Sequence, residues 1–100
     1  MTDKLTGIPE TYRTDIEHAI AILKEAGCGE IFLFGSLTKG GIAKATDIDL
    51  AVRGCPAELY FPLLGRLMMA LEHPVDLIRL DRGDDFARLL ETKGELLRVS

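Results

Sequence analysis

Asp47 and Asp49 stand two apart in the run DIDLAV, with Ile48 and Leu50 between and after them. On a strand this spacing sends both carboxylates out of one face, Cα atoms roughly 6–7 Å apart, and turns the two aliphatic residues to the other. Two carboxylates so close repel and raise one another's proton affinity, a cost that a divalent cation removes by favouring both ionised forms. A hard ion such as Mg²⁺ accepts carboxylate oxygen and keeps positions for water and substrate phosphate. A third acid, Asp76, lies in VDLIRL between Val75 and Leu77. If its strand neighbours the DIDLAV strand, it reaches the cation held by Asp49, and three carboxylates suffice for two ions about 3.5–4 Å apart, an arrangement for phosphoryl transfer. Taken singly each has a plainer role: the pair on a solvated strand face, Asp76 as a charge paired with Arg79 or Arg53.

Gly35 and Ser36 directly follow the apolar run EIFLF. A glycine there lets backbone approach a bulky anion, and Ser36 offers an amide and a hydroxyl to phosphate oxygens. Lys39 is the side-chain cation for the same phosphates, and Thr46, just before Asp47, either supports the turn or touches the nucleotide. Alone, Gly-Ser reads as a turn and helix cap; beside the paired aspartates it reads as a cradle for phosphate oxygens. GSLTKGG lacks the Lys-Ser/Thr of a P-loop, GCGEIF precedes its strand and lacks a third glycine, and no calcium loop follows Asp47.

These residues need elements to hold them. From Tyr12, apolar side chains at Ile16, Ala19, Ile20 and Leu23 keep helical spacing, with Pro9 before and Gly27 after. EIFLF suits a strand covered on both faces, and DIDLAV a second, bounded by Gly54-Cys55-Pro56. Leu59, Leu63, Leu64, Leu67, Met68 and Leu71 form a second helical stripe ended by His73-Pro74, its methionines read as core filler. VDLIRL is a third strand, DDFARLLETKG a final helix capped by Asp84 or Asp85, and ELLRVS either a last short strand or a stretch that docks on a partner. The turn between the first two strands makes them antiparallel neighbours. The fold class is therefore α+β (mixed α/β), a small mixed sheet of three to four strands with helices packed on it.

The pair Gly35-Ser36, ten residues, then Asp47-Ile48-Asp49 resembles the GSx10DxD signature of the DNA polymerase β-like nucleotidyltransferase superfamily, specifically its minimal nucleotidyltransferase (MNT) domains. The resemblance covers nearly the whole chain and implies a nucleotidyltransferase fold over residues 1–100 as a single domain. It implies catalytic and metal-binding roles for Asp47, Asp49 and Asp76, with two Mg²⁺ ions or Mn²⁺ in their place, and triphosphate binding by Gly35 and Ser36. Where members often carry arginine after the serine this chain has Leu37, leaving Lys39 as the only cation of the turn before Lys44. The implied reaction moves AMP, or another nucleoside monophosphate, from a triphosphate to a hydroxyl. By analogy the acceptor lies on a partner protein, a helical HEPN-type ribonuclease, with this chain as the antitoxin-like half. The alternative is a non-catalytic antitoxin that neutralises such a partner by covering it; a transferase directed to tRNA or a small molecule fits less well.

Composition sets the outer limits. One hundred residues, 47% hydrophobic and 28% charged, make a soluble domain without room for a second. A net charge of −4 with scattered basic residues counts against direct nucleic-acid binding. No apolar run has the length of a membrane span or the form of a signal peptide, so a cytoplasmic setting is expected. Cys28 and Cys55 fit no zinc or CxxC spacing and read as reduced thiols. His18 is read onto an exposed helix face, and His73 onto a helix end where an imidazole meets free carbonyls.

Overall fold

The computed structural model describes residues 8–35, 47–82, 88–89, 92 and 96–100. Helix α1 spans Glu10–Glu25, strand β1 Glu30–Phe34 and strand β2 Ile48–Arg53. Helix α2 spans Tyr60–Ala70 after a 3-10 turn at Ala57–Leu59; strand β3 is Val75–Arg79 and strand β4 Leu97–Arg98. Of the final helix expected over DDFARLLETKG, Arg88, Leu89 and Thr92 are described and helical, while the caps Asp84 and Asp85 lie outside the described residues. Among the described residues no helix is long and apolar enough to cross a membrane.

The four strands form one mixed sheet in the order β3-β2-β1-β4. β1 and β2 pair antiparallel, Glu30 opposite Arg53 through Phe34 opposite Asp49, as the turn between them leads one to expect. β2 and β3 run parallel, Ile48 beside Val75 and Asp49 beside Asp76. The tail resolves as the short strand: β4 pairs antiparallel with β1, Phe32 opposite Arg98. Glu30 ties three strands together, with Arg53 at 3.2 Å from β2 and Arg98 at 3.1 Å from β4.

The period of two sorts the sheet into faces. Ile31, Leu33, Ile48, Leu50, Val52, Val75 and Leu77 join Tyr12, Ile16, Ala19 and Leu23 of α1 and Leu63 and Leu67 of α2 in the main core. Phe32, Phe34 and Ala51 bury themselves on the opposite face, with Leu80, Ile78 and Leu96. EIFLF is thus covered on both sides, which is why it is apolar without alternation. Gly27, at φ +100°, turns the chain out of α1.

Three readings need correction. Met68 and Met69 do not fill the core; both lie exposed on α2, because the helix already seats Leu63 and Leu67 on its inner side. His73 does not meet helix carbonyls: its Nδ1 lies 2.7 Å from the Asp15 carboxylate. And Cys28 and Cys55 are not separate thiols but form a disulfide, their Cα atoms 4.2 Å apart. Each cysteine lies two residues beyond the Glu30–Arg53 pair, so the hairpin register itself brings them face to face. The bridge closes a 27-residue separation. Reduction, or a Cys28→Ser change, is expected to lower unfolding free energy by about 3 kcal/mol through the freed loop entropy of the unfolded chain, read as a lower denaturant midpoint.

Candidate active site

The site grows from one register. Because Asp49 and Asp76 are Cα partners on the parallel strands β2 and β3, their side chains leave the sheet together, on the face away from α1 and α2. The aliphatic neighbours Ile48, Leu50, Val75 and Leu77 are buried on the other face and hold the two strands in that phase. Asp49 is half-buried, whereas Asp76 and Asp47 are exposed. Asp47 immediately precedes β2.

Burial pushes the Asp49 carboxyl up to about 6, aided by the negative charge of Asp76, then that of Asp47, and by a hydrogen bond with the Asp76 side chain. Both neighbouring acids therefore act on Asp49. Of the two cations that could pair with Asp76, Arg53 bonds Glu30 at 3.2 Å, and Arg79 shares the strand side of the core-facing residues Val75 and Leu77.

The third element is the end of β1. Gly35 follows Phe34, the partner of Asp49, and has φ +80°. A Cβ built on it would stand 3.1 Å from Asp49 Cγ and collide with Oδ2. Glycine is required here twice over, by a left-handed backbone and by the carboxylate packed on its α-carbon. Gly35→Ala is expected to destabilise the fold by about 2–3 kcal/mol and, by pushing Asp49 away from Asp76, to reduce activity more than that loss explains; thermal melts and turnover measured below the melting range separate the two effects.

Of the sequence-derived site residues, the structure thus brings together Gly35, Asp49 and Asp76, with Asp47 in electrostatic reach. Ser36, Lys39 and Thr46 lie outside the described residues, as do Leu37 and Lys44. Among the described residues no three His, Cys, Asp or Glu side chains already converge on one point as a metal cage. What is assembled is a carboxylate pair. Its donor chemistry fits a hard cation: oxygen ligands only, and a mutual repulsion that such an ion would relieve.

Sequence reasoning missed Asp15, the one buried charged residue among those described, at 2% exposure. Its carboxylate accepts the backbone N–H of Glu72 at 3.0 Å and of His73 at 2.9 Å. Tyr12, a turn earlier on α1, stacks on the His73 ring with centroids 3.8 Å apart. This clamp holds the connection from α2 into β3, three residues ahead of Asp76. The only sequence signal was a charge on the apolar face of α1, between Tyr12 and Ile16.

No family model and no curated protein matches this chain at a significant level. Solved structures do. The toxin-antitoxin MntA-HepT has 22% identity and a TM-score of 0.63, over 88% of this chain and 71% of that one. A toxin-antitoxin with AMP-PNP has 25% identity and a TM-score of 0.66, over 87% and 71%. A mutant of such a pair, with two aspartates two positions apart changed to glutamate, has 21% identity and a TM-score of 0.65, over 84% and 70%. The fold is that of the nucleotidyltransferases.

Proposed function

We propose that this chain, which has the fold of a minimal nucleotidyltransferase domain, moves a nucleoside monophosphate from a triphosphate, ATP by preference, to a hydroxyl of a partner protein. The observation that carries the reading is the Asp49–Asp76 pair, registered side by side against Gly35. The toxin-antitoxin neighbours, one of them with AMP-PNP, support a second protein as partner and a nucleotide as ligand. In this reading residues 1–100 are one domain, the antitoxin-like half of a pair whose other half is a helical HEPN-type protein.

Asp47, Asp49 and Asp76 would hold Mg²⁺, two ions in the full complement, or Mn²⁺. When bound, the cations neutralise triphosphate charge and lower the pKa of the attacking hydroxyl. The chain's own groups do the rest. Gly35, lacking a side chain, lets the backbone after β1 approach the phosphates, with Ser36, Lys39 and Thr46 expected alongside. Asp76, exposed at the mouth of the pair, accepts the proton of the acceptor hydroxyl as its oxygen bonds to the α-phosphorus. The bond from the α-phosphorus to the bridging oxygen breaks, and pyrophosphate leaves with that oxygen. Asp49, anchored against Gly35, fixes the strand geometry in which this occurs. A reaction fed by ATP sits in the cytoplasm, where the Cys28–Cys55 bridge is open to reduction.

The test is label transfer. With Mg²⁺, ATP labelled at the α-phosphorus and an extract of host cells, label is expected to move onto a protein, and Asp47→Asn to cut it by about 100-fold. No transfer with either Mg²⁺ or Mn²⁺, alongside partner capture that Asp47→Asn leaves unchanged, would instead establish a protein that acts by contact alone.

A further inference from the structure

Helix α2 is apolar all the way round. Leu63 and Leu67 face the core, while on its outer side Phe61 is 78%, Met68 63% and Met69 89% exposed. Its eleven residues carry a single charge, Arg66, which is turned to Glu25 of α1 at 3.3 Å. A helix without a polar face belongs in an interior. Three such side chains present about 400 Å² of apolar surface, half of what each partner of a stable protein complex covers.

Gly65 lies in the middle of this outer face, next to a groove of about 550 Å³ lined by Ile22, Gly65, Arg66, Met69 and Ala70. A Cβ at Gly65 would meet nothing within 4 Å. The chain's own packing therefore gives no reason for a glycine, which weakens a helix interior. Close approach of a second helix axis does give one, since the side chains at the crossing set the distance between helices.

The charges choose the occupant. Glu58 and Glu72, both exposed, stand seven residues either side of Gly65. Two copies of α2 crossing antiparallel at Gly65 would set Glu58 of each against Glu72 of the other, like charge on like charge. We infer that the outer face of α2 docks an amphipathic helix of a different protein, its apolar stripe on Phe61, Met68 and Met69 and its basic flanks on Glu58 and Glu72. This deepens the proposed partnership with a second protein and rests on that part of it.

The experiment places a photocrosslinking p-benzoylphenylalanine in place of Met69 in the full chain, produced in its host, with the exposed Glu17 on the far side of α1 as the control position. The expected product is one adduct with a different protein, joined within a helix whose apolar stripe is flanked by Lys or Arg, and none from position 17. An adduct of twice the chain's mass would make the occupant a second copy and overturn the inference, as would adducts spread over many proteins, or none. Gly65→Glu is expected to cut the adduct by at least about tenfold without lowering the melting temperature; an unchanged yield would also overturn it. The adduct without label transfer would sink the proposed reaction and leave this face standing, whereas label transfer without the adduct would sink only this inference.

Discussion

Asp49→Asn is expected to lose nucleotidyl transfer by about 10²–10³-fold and yet to melt above the wild type at neutral pH. Both effects have one origin. Half-buried and facing Asp76 and Asp47, the Asp49 carboxyl binds its proton up to about pH 6 rather than the ordinary 3.8. The folded chain therefore holds a proton that the unfolded chain has released between those values. Stability from this group is full below about pH 4, falls as pH rises through the interval, and is lost above 6. At full weight the shift corresponds to about 3 kcal/mol; solvent screening at a half-buried site brings it to roughly 1–2 kcal/mol. Asparagine keeps the shape and removes the charge, so its melting temperature in metal-free buffer should exceed the wild type's at pH 8 and match it near pH 4. Millimolar Mg²⁺ should raise the wild-type midpoint at pH 8 and leave Asp49→Asn where it is. A variant that melts no higher than the wild type would show that the strained carboxylate is not where the register puts it.

Asp15→Ala carries the largest expected loss of stability, about 3–5 kcal/mol. The carboxylate is 2% exposed and accepts two backbone N–H groups and the His73 ring nitrogen, so alanine strands three donors at once. Burial works to raise its pKa, but the hydrogen bonds from Glu72 and His73 outweigh it and hold the carboxyl below the usual range. The stability it confers is thus present above about pH 4 and disappears as pH falls through its lowered value. Urea titrations at pH 7 and pH 3 measure this directly, the gap between wild type and Asp15→Ala closing in acid. His73→Ala should cost less, since the backbone donors of residues 72 and 73 keep their acceptor, and the double variant should fall short of the sum by about 1 kcal/mol or more. Activity should fall with Asp15→Ala even below its melting range, because the clamp precedes β3 and sets the phase of Asp76 against Asp49.

Local physics made much of this molecule readable. The alternation of DIDLAV sorts its residues by face whatever surrounds it, so Ile48 and Leu50 enter the main core while Asp49 leaves the strand on the other side. The unbroken EIFLF announces a strand with two covered faces, and Gly27 the end of α1. On α2 the same reasoning misleads, since a helix apolar on every side has no period from which to choose its core stripe, and Met68 and Met69 fall outside it.

The chain by itself determined β1, β2, β3, α1 and α2 and the side chains that leave each strand face, because those follow from periods of two and of three to four residues. Only the folded structure decided which strands lie together: that β3 enters parallel to β2 in the register that sets Asp76 beside Asp49, that Gly35 takes the Asp49 carboxylate against its α-carbon, and that Asp15 meets residues 57 and 58 positions away. The hairpin register likewise joined Cys28 to Cys55. Pairing across such distances is won by burying Ile48, Leu50, Val75 and Leu77 together, a free energy shared by the whole core that no short stretch of sequence contains.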